Sequence, residues 1–161
     1  MKHLVLIFSI PLLLFLTETG AAPMIFIVRH AEKASSGDKD PDLSVQGQKR
    51  ANALAHILQD SQITSVFVTE FKRTQRTAAP TTTAAHVTPT VLPANDIGAL
   101  VDKLHALKGN ALVVGHGNTI PDLLKALGIA APTSIPENDY TEIFVVFVGD
   151  TAQLLRLHYP F

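Results

Sequence analysis

Two histidines in this sequence directly follow strand-like apolar segments. Arg29-His30 follows the run Met24 to Val28, and Gly115-His116-Gly117 follows the run Ala111 to Val114. In sheets that alternate with helices, ligands bind beyond the carboxyl ends of the strands, so we expect both imidazoles to face one pocket. A neutral imidazole is a nitrogen nucleophile, and phosphoryl transfer demands mainly positioning and positive charge around the transferring oxygens. The pattern therefore indicates phosphoryl-transfer chemistry.

A third basic residue and a helix start favour anion binding at the same edge. The segment Thr69 to Ala78 follows another strand-like run and delivers Arg73, whose planar guanidinium can bind phosphate through two parallel hydrogen bonds. Gly117-Asn118-Thr119 opens a later helix, with Pro121 at a first-turn position. The free N–H groups of such a turn form an anion site. These groups meet the demands of phosphoryl transfer with no metal and no cofactor.

The strands that must position these residues are visible as apolar runs. Continuous runs rich in β-branched residues predict buried strands at 24–28, 63–68 and 111–114. The run 87–92 is a weaker edge candidate because Pro89 interrupts it. Two final runs follow and meet at Gly149-Asp150, a hairpin signal; they cover 141–148 and 152–158.

Helical patterns separate these strands. Ser44 is a predicted N-cap for a helix that carries Leu54, and apolar residues recur at helical spacing over 97–107 and 120–127. The polar segment Arg73 to His86 predicts a further helix, which Pro80 must either kink or restart. Alternating strands and helices predict an α/β fold, a three-layer sandwich with a mostly parallel sheet, in one domain over 23–161.

Composition excludes several classes of protein. The chain has 161 residues, of which 47% are hydrophobic and 17% charged, and its formal net charge is −1. This balance is typical of a globular domain, and without a basic stripe or an aromatic stacking set we expect no nucleic-acid partner. The chain has no cysteine, which excludes thiol catalysis, disulfides and a lipidated cysteine anchor.

The first 22 residues have the pattern of a secretory signal peptide. Lys2 and His3 precede an unbroken apolar run from Leu4 to Leu16, and the small and polar residues 17–22 follow it. The run is shorter than the roughly 20 apolar residues of a membrane-spanning helix. We predict cleavage after Ala21 or Ala22, export to the periplasm or the medium, and no stable membrane span afterwards.

Four ordered motifs resemble those of the histidine phosphatase (phosphoglycerate mutase-like) superfamily. They are Arg29-His30-Ala31-Glu32-Lys33, Leu43-Ser44 with Gly47, Phe71 to Ala78, and Gly115-His116-Gly117-Asn118. The resemblance extends from about Met24 to about Leu127, and the compact chain is most similar to the small bacterial phosphatases of the superfamily. It implies the phosphoglycerate mutase-like fold.

The resemblance also implies a role for each matched residue. His30 would be the nucleophile that becomes phosphohistidine, and Arg29 and Arg73 would hold the phosphoryl oxygens. His116 would stabilise the charge that develops during transfer. The backbone at Gly117-Asn118 would add hydrogen bonds to the same oxygens.

Two departures from the family pattern affect the expected chemistry. Ala31 stands where the signature usually has glycine, which fits if the backbone there is not at positive φ. The usual acid beside the second histidine is absent, because Gly117 follows His116. Glu32 and Asp96 are the candidate proton donors.

We therefore expect a metal-independent phosphatase that acts on a small phosphomonoester through phosphohistidine on His30. The alternatives are a phosphatase of phosphohistidine on proteins, a mutase and a non-catalytic phosphate-binding domain. A mutase is disfavoured because the chain lacks extra segments that would cap the site. Lys72 and Arg76 are expected to be surface charges. Lys33 either widens the positive field at the pocket mouth or is an ordinary exposed lysine.

Overall fold

In the described residues, six strands form one sheet, the middle layer of the molecule. The computed structural model describes residues 22–35, 37–130, 134–149 and 151–159, so nearly all of the predicted signal peptide lies outside them. The strands are β1 (Met24–Arg29), β2 (Ile63–Thr69), β3 (Thr90–Leu92), β4 (Asn110–Gly115), β5 (Glu142–Phe147) and β6 (Gln153–His158).

The sheet order is β3-β2-β4-β1-β5-β6. Strands β1 to β4 run parallel, β5 is antiparallel to β1, and β6 is antiparallel to β5. The predicted mostly parallel sheet is therefore confirmed. The predicted hairpin is present as well, since Phe147 of β5 is in register with Gln153 of β6.

Helices cover both faces of the sheet. They are α1 (Val45–Ile57), α2 (Lys72–Ala85), α3 (Ile97–His105) and α4 (Ile120–Ala126). Leu54 of α1 and Ala78 of α2 belong to the hydrophobic core on one face. Leu104 of α3 and Leu124 of α4 belong to the core on the other face. The three-layer sandwich is confirmed, and no helix in the described ranges is long and apolar enough to cross a membrane.

Burial on both faces explains why the strand nearest His30 reads as an unbroken apolar run. Ile25 and Ile27 of β1 belong to one core, and Phe26 and Val28 belong to the other. Successive side chains of a strand point to opposite faces, so both sets of positions must be apolar. The C-terminal residue of this buried strand, Arg29, is thereby placed at the edge where the chain leaves the core.

Helix α2 continues through Pro80 and does not restart there. Proline lacks the N–H that would bond to the carbonyl of Arg76, so the helix loses one hydrogen bond at this point. Thr77, Ala78 and Thr81 on either side are buried against the rest of the fold, and this packing stabilises the helix despite the loss.

The start of α1 lies directly against the chain that follows His30. The side chain of Ser44 caps α1 by accepting a hydrogen bond from Gly47 N, as its sequence position predicts. The N–H of Ser44 donates to the carbonyl of Glu32 at 2.8 Å. Gly47 itself is packed so closely that an added Cβ would lie 2.2 Å from that same carbonyl oxygen. The glycine therefore allows α1 to support the backbone of the histidine segment.

Gly47→Ala should destabilise the protein by about 1–3 kcal/mol, because the new methyl group overlaps backbone that cannot move independently. Gly98→Ala in α3 is the matched control, since its added Cβ would meet nothing closer than 3.8 Å. That control should be neutral or stabilising by about 0.5–1 kcal/mol through helix propensity. Urea unfolding of both variants measures the difference, and equal effects would contradict the proposed close contact.

Candidate active site

An open cavity lies where β1, β2 and β4 end. Its volume is about 840 Å³. The structure brings six of the sequence-predicted residues to its wall: Arg29, His30, Arg73, His116, Gly117 and Asn118. The parallel register of β1 and β4, with Arg29 opposite Gly115, is what places the two histidines beside each other.

Hydrogen bonds to the backbone fix both the position and the tautomer of His30. Its N–H donates to the carbonyl of Gly115 at 2.9 Å, which extends the β1–β4 pairing by one residue. Its ring nitrogen Nδ1 lies 2.8 Å from the carbonyl oxygen of Ala31. A carbonyl can only accept, so Nδ1 carries the proton and Nε2 carries the lone pair. Nε2 is thus the nucleophilic atom of this side chain.

Both histidines are held in the neutral form at neutral pH. Burial lowers the pKa of His30 to about 4, although the hydrogen bond to the Ala31 carbonyl opposes this shift. The positive charges of Arg73 and Arg29 act in the same direction as burial, as would a proton on His116. Burial also lowers the pKa of His116 to about 4, with further contributions from Arg73 and Arg29. Glu70 opposes this second shift. A neutral imidazole is the form that attacks phosphorus.

The guanidinium of Arg29 lies between the cavity and a loop and contacts both. Its Nη1 donates to the carbonyls of Pro136, Glu137 and Asp139 at 2.5–3.1 Å. Its Cζ also lies 4.3 Å from the ring centroid of Tyr140. Its Nε is buried without a hydrogen-bond partner, which leaves Nη2 for a phosphoryl group. Arg29, the residue expected to bind phosphate, therefore also anchors the loop that forms one wall of the site.

Arg73 is held over the cavity by contacts on two sides. Its Cζ lies 4.2 Å from the ring centroid of Phe71, and its Nη1 lies 3.7 Å from Asp40 Oδ1. The Asp40 carboxylate also accepts from the N–H of Lys72 at the start of α2. The loop before α1 is thus tied to the helix that carries Arg73. Two further ion pairs lie at the surface, as expected for surface charges. They are Lys72 with Asp38 and Arg76 with Asp42.

His116 is oriented by two threonines that the sequence analysis did not identify. Its Nε2 lies 3.1 Å from Thr69 Oγ1, which in turn lies 2.9 Å from Thr74 Oγ1. The ring is edge-on to His30, with centroids 5.4 Å apart, and edge-on to Phe71 at the same distance. The only available signal was that Thr69 ends a strand and Thr74 lies in the Arg73 motif.

The two carboxylates expected to be proton donors form structural contacts away from the cavity. Glu32 forms a two-pronged ion pair with the buried Arg50 at 2.8–3.0 Å, and Arg50 also donates to the carbonyl of Tyr159. Asp96 caps α3 by accepting from Ala99 N at 3.0 Å. Neither side chain lines the cavity of the histidines. The structure does not bring either one to the reacting atoms, because each stabilises a neighbouring element.

Other charged groups do reach the cavity wall. They are Lys33, Lys39, Asp38, Asp122 and Glu137. Lys33 is exposed at this wall, as the sequence predicts for a residue at the pocket mouth. The mixture of charges makes the cavity mostly polar, which suits a hydrophilic phosphorylated molecule.

Ala31 is fully buried and is not at positive φ, so alanine fits where the family signature has glycine. Its N–H donates to Thr77 Oγ1 at 2.9 Å, and the hydroxyl of Thr77 donates to the carbonyl of Arg73 at 2.7 Å. One buried hydroxyl thus connects the backbone beside His30 to the helix turn that carries Arg73.

Comparison with known families agrees with this geometry. The model of the histidine phosphatase superfamily (branch 1) matches residues 25–94, which include the first histidine and the Arg73 segment. Over these residues the chain is similar to the histidine phosphatase superfamily. A search of curated protein sequences found no significant match.

Solved structures share the histidine phosphatase fold. The protein histidine phosphatase SixA, complexed with tungstate, superimposes with a TM-score of 0.71 at 21% identity, over 84% of this chain and 96% of that one. A mycobacterial glucosyl-3-phosphoglycerate phosphatase, in complex with inorganic phosphate, superimposes with a TM-score of 0.68 at 16% identity. That alignment covers 86% of this chain and 98% of the other.

Thr77→Val should reduce both stability and activity, because it leaves the buried N–H of Ala31 without an acceptor. We expect a loss of about 1–3 kcal/mol in unfolding free energy and a fall in kcat/KM of roughly tenfold to a hundredfold. Thr81→Val is the matched control, since the Thr81 hydroxyl is buried in the same helix without a partner. Urea unfolding and steady-state kinetics measure both effects, and a Thr77 variant that behaves like the Thr81 variant would refute the connection.

Acid should destabilise the protein through its two buried histidines. Their pKa values lie near 4 in the folded protein but near 6.5 without burial, so the unfolded chain binds more protons between these values. The free energy of unfolding should therefore fall as the pH is lowered from about 6.5 to about 4.

His30→Gln and His116→Gln should each make this fall smaller, whereas His56→Gln at an exposed position should not. Urea unfolding at several pH values measures the slopes. Identical slopes in all four proteins would show that the histidine pKa values are not depressed.

Proposed function

We propose that this protein is a metal-independent phosphatase that hydrolyses phosphomonoesters through a phosphohistidine on His30. The observation that carries the proposal is the tautomer of His30, whose unprotonated Nε2 belongs to a ring on the cavity wall. Arg29, Arg73 and His116 line the same cavity and supply the charge and polarity that transferring oxygens require. The match of residues 25–94 to the model of the histidine phosphatase superfamily supports the same conclusion.

The reaction proceeds in two in-line steps. His30 Nε2 attacks phosphorus, a nitrogen–phosphorus bond forms, and the bond to the leaving oxygen breaks as that oxygen takes up a proton. Water then attacks the same phosphorus, and the nitrogen–phosphorus bond breaks to release inorganic phosphate and neutral His30. Arg73 and Arg29 hold the non-bridging oxygens through both steps, so the charge on the phosphoryl oxygens stays compensated.

One observation favours a second candidate, the hydrolysis of phosphohistidine on proteins. Neither Glu32 nor Asp96, the two carboxylic acids expected to protonate an alkoxide leaving group, lies at the cavity. An imidazole leaves more readily, because solvent can protonate its second nitrogen beforehand. The similarity to SixA also supports this candidate. The pattern of an export signal opposes it, since phosphohistidine relays operate in the cytoplasm.

We further propose that the domain over 23–161 acts outside the inner membrane, in the periplasm or the medium. Support comes from the basic start, the short apolar run and the small residues of the segment 1–22. The substrate would then be a small phosphorylated molecule of that compartment, such as a phosphosugar, a nucleotide or a phosphorylated envelope glycan. Detection of the mature N-terminus in a secreted fraction would test the location.

His30→Ala should abolish phosphate release from an aryl phosphate measured in the presence of a chelator. We expect a fall in kcat of at least about a thousandfold, because no other side chain replaces the nucleophile. His56→Ala, at an exposed histidine on α1, is the matched control and should retain full activity. Equal activity in parent and His30 variant would refute the mechanism. Phosphate binding by calorimetry without turnover of any substrate would instead favour a non-catalytic binding domain.

A further inference from the structure

A short chain of hydroxyl groups lies behind His116. Thr69 Oγ1 is 3.1 Å from Nε2 of the histidine and 2.9 Å from Thr74 Oγ1. Thr74 Oγ1 accepts from the N–H of Thr69 at 3.1 Å and lies 2.9 Å from the carbonyl oxygen of Phe71. Thr74 is fully buried, so its position does not depend on solvent.

The protons available to these hydroxyl groups determine the direction of the hydrogen bonds between them. Each hydroxyl has one proton to donate, and the carbonyl of Phe71 can only accept. If Thr74 donates to Phe71, the contact between the two hydroxyls must use the proton of Thr69. Thr69 is then left as an acceptor for Nε2–H of His116. The opposite direction would leave two oxygens 2.9 Å apart, Thr74 Oγ1 and the Phe71 carbonyl, with no proton between them.

We propose that Thr69 is a positioning residue that holds His116 in the Nε2–H tautomer, so that one proton is taken up at Nδ1 when a phosphate group binds. Because Nε2 contacts Thr69, Nδ1 is the ring nitrogen left for the cavity that His116 lines. His30 has the opposite arrangement, with Nδ1 bonded to the backbone and Nε2 free. The two imidazoles therefore present different nitrogens to the same phosphoryl group. This inference rests on the proposed phosphate pocket.

Burial and the surrounding charges explain why the proton arrives with the ligand and is not already present. Burial of the ring is the largest effect that disfavours protonation of His116. Arg73 of α2 and Arg29 of β1 disfavour it further, and Glu70 before α2 favours it. His30 of the β1 end is neutral, while Asp122 of α4 lies on the cavity wall. A bound phosphate dianion offsets the two arginines. Its oxygen would otherwise face the lone pair of Nδ1, and a shared proton converts that repulsion into a charge-assisted hydrogen bond.

The tautomer can be observed without any ligand or turnover. Nitrogen-15 NMR of the purified protein at neutral pH distinguishes a protonated from an unprotonated imidazole nitrogen at each ring position. We expect His116 to show a protonated Nε2 and an unprotonated Nδ1, and His30 to show the reverse. Thr69→Ser should keep the His116 pattern, whereas Thr69→Val removes the acceptor and should produce a mixture of tautomers. A protonated Nδ1 on His116 in the parent protein would overturn the proposal.

Proton uptake is measured by calorimetry of inorganic phosphate binding in buffers of different ionisation enthalpy. At about pH 8 free phosphate is mostly the dianion, so we expect uptake of about one proton per phosphate bound. Thr69→Ser should behave like the parent. In the Thr69→Val variant, His116 can present Nδ1–H as a neutral donor. Proton uptake by this variant should therefore fall well below one proton per phosphate bound.

The possible outcomes separate this inference from the proposed function. Phosphate binding with no proton uptake in the parent would overturn the inference and leave the phosphatase proposal intact. No phosphate binding at all would count against the phosphate pocket, and with it against both proposals. Equal uptake in the valine and serine variants would show that Thr69 does not set the tautomer.

Discussion

The hydrogen bond from Nδ1 of His30 to the carbonyl of Ala31 is the interaction on which the active site depends. It leaves the lone pair on Nε2, but it does so only while the Ala31 carbonyl keeps its orientation. Three elements hold that short segment: β4 through the Gly115 carbonyl, α2 through Thr77, and α1 through its close packing on Glu32. Much of the fold next to the histidine thus serves to orient one peptide group. Such support is what converts an ordinary side chain into a preorganised nucleophile.

Burial and charge act together around this nucleophile. Removal of water from the two imidazoles keeps them neutral, and the arginines reinforce the effect while they provide the charge for phosphate. The same arginines are themselves restrained. Arg29 holds the loop carbonyls, and Arg73 lies between Phe71 and Asp40. Because both side chains are already ordered, less conformational entropy is lost when an anion binds.

The sequence was sufficient to predict the layers, nearly all of the strands and helices, and the meeting of six residues at one cavity. Strand ends and motif order carry that information, since parallel strands deliver their C-terminal residues to one edge. The sequence did not predict the structural roles of Glu32 and Asp96. Glu32 follows His30 by two residues, yet its charge is taken by Arg50, a partner 18 positions away. Likewise nothing local indicates that Arg29 bonds to carbonyls more than a hundred residues distant, or that Thr69 supports His116. Long-range partners of polar side chains depend on tertiary packing, which residue patterns do not encode.

The most direct measurement is the site of covalent phosphorylation during turnover. The protein is mixed with excess aryl phosphate, quenched in base within milliseconds and digested, and the phosphorylated peptide is located by mass spectrometry under conditions that preserve phosphohistidine. The account predicts a transient, acid-labile phosphoryl group on His30 that forms and decays at rates compatible with kcat. A phosphoryl group on another residue, or turnover with no phosphorylated protein under conditions where product forms in a burst, would contradict it.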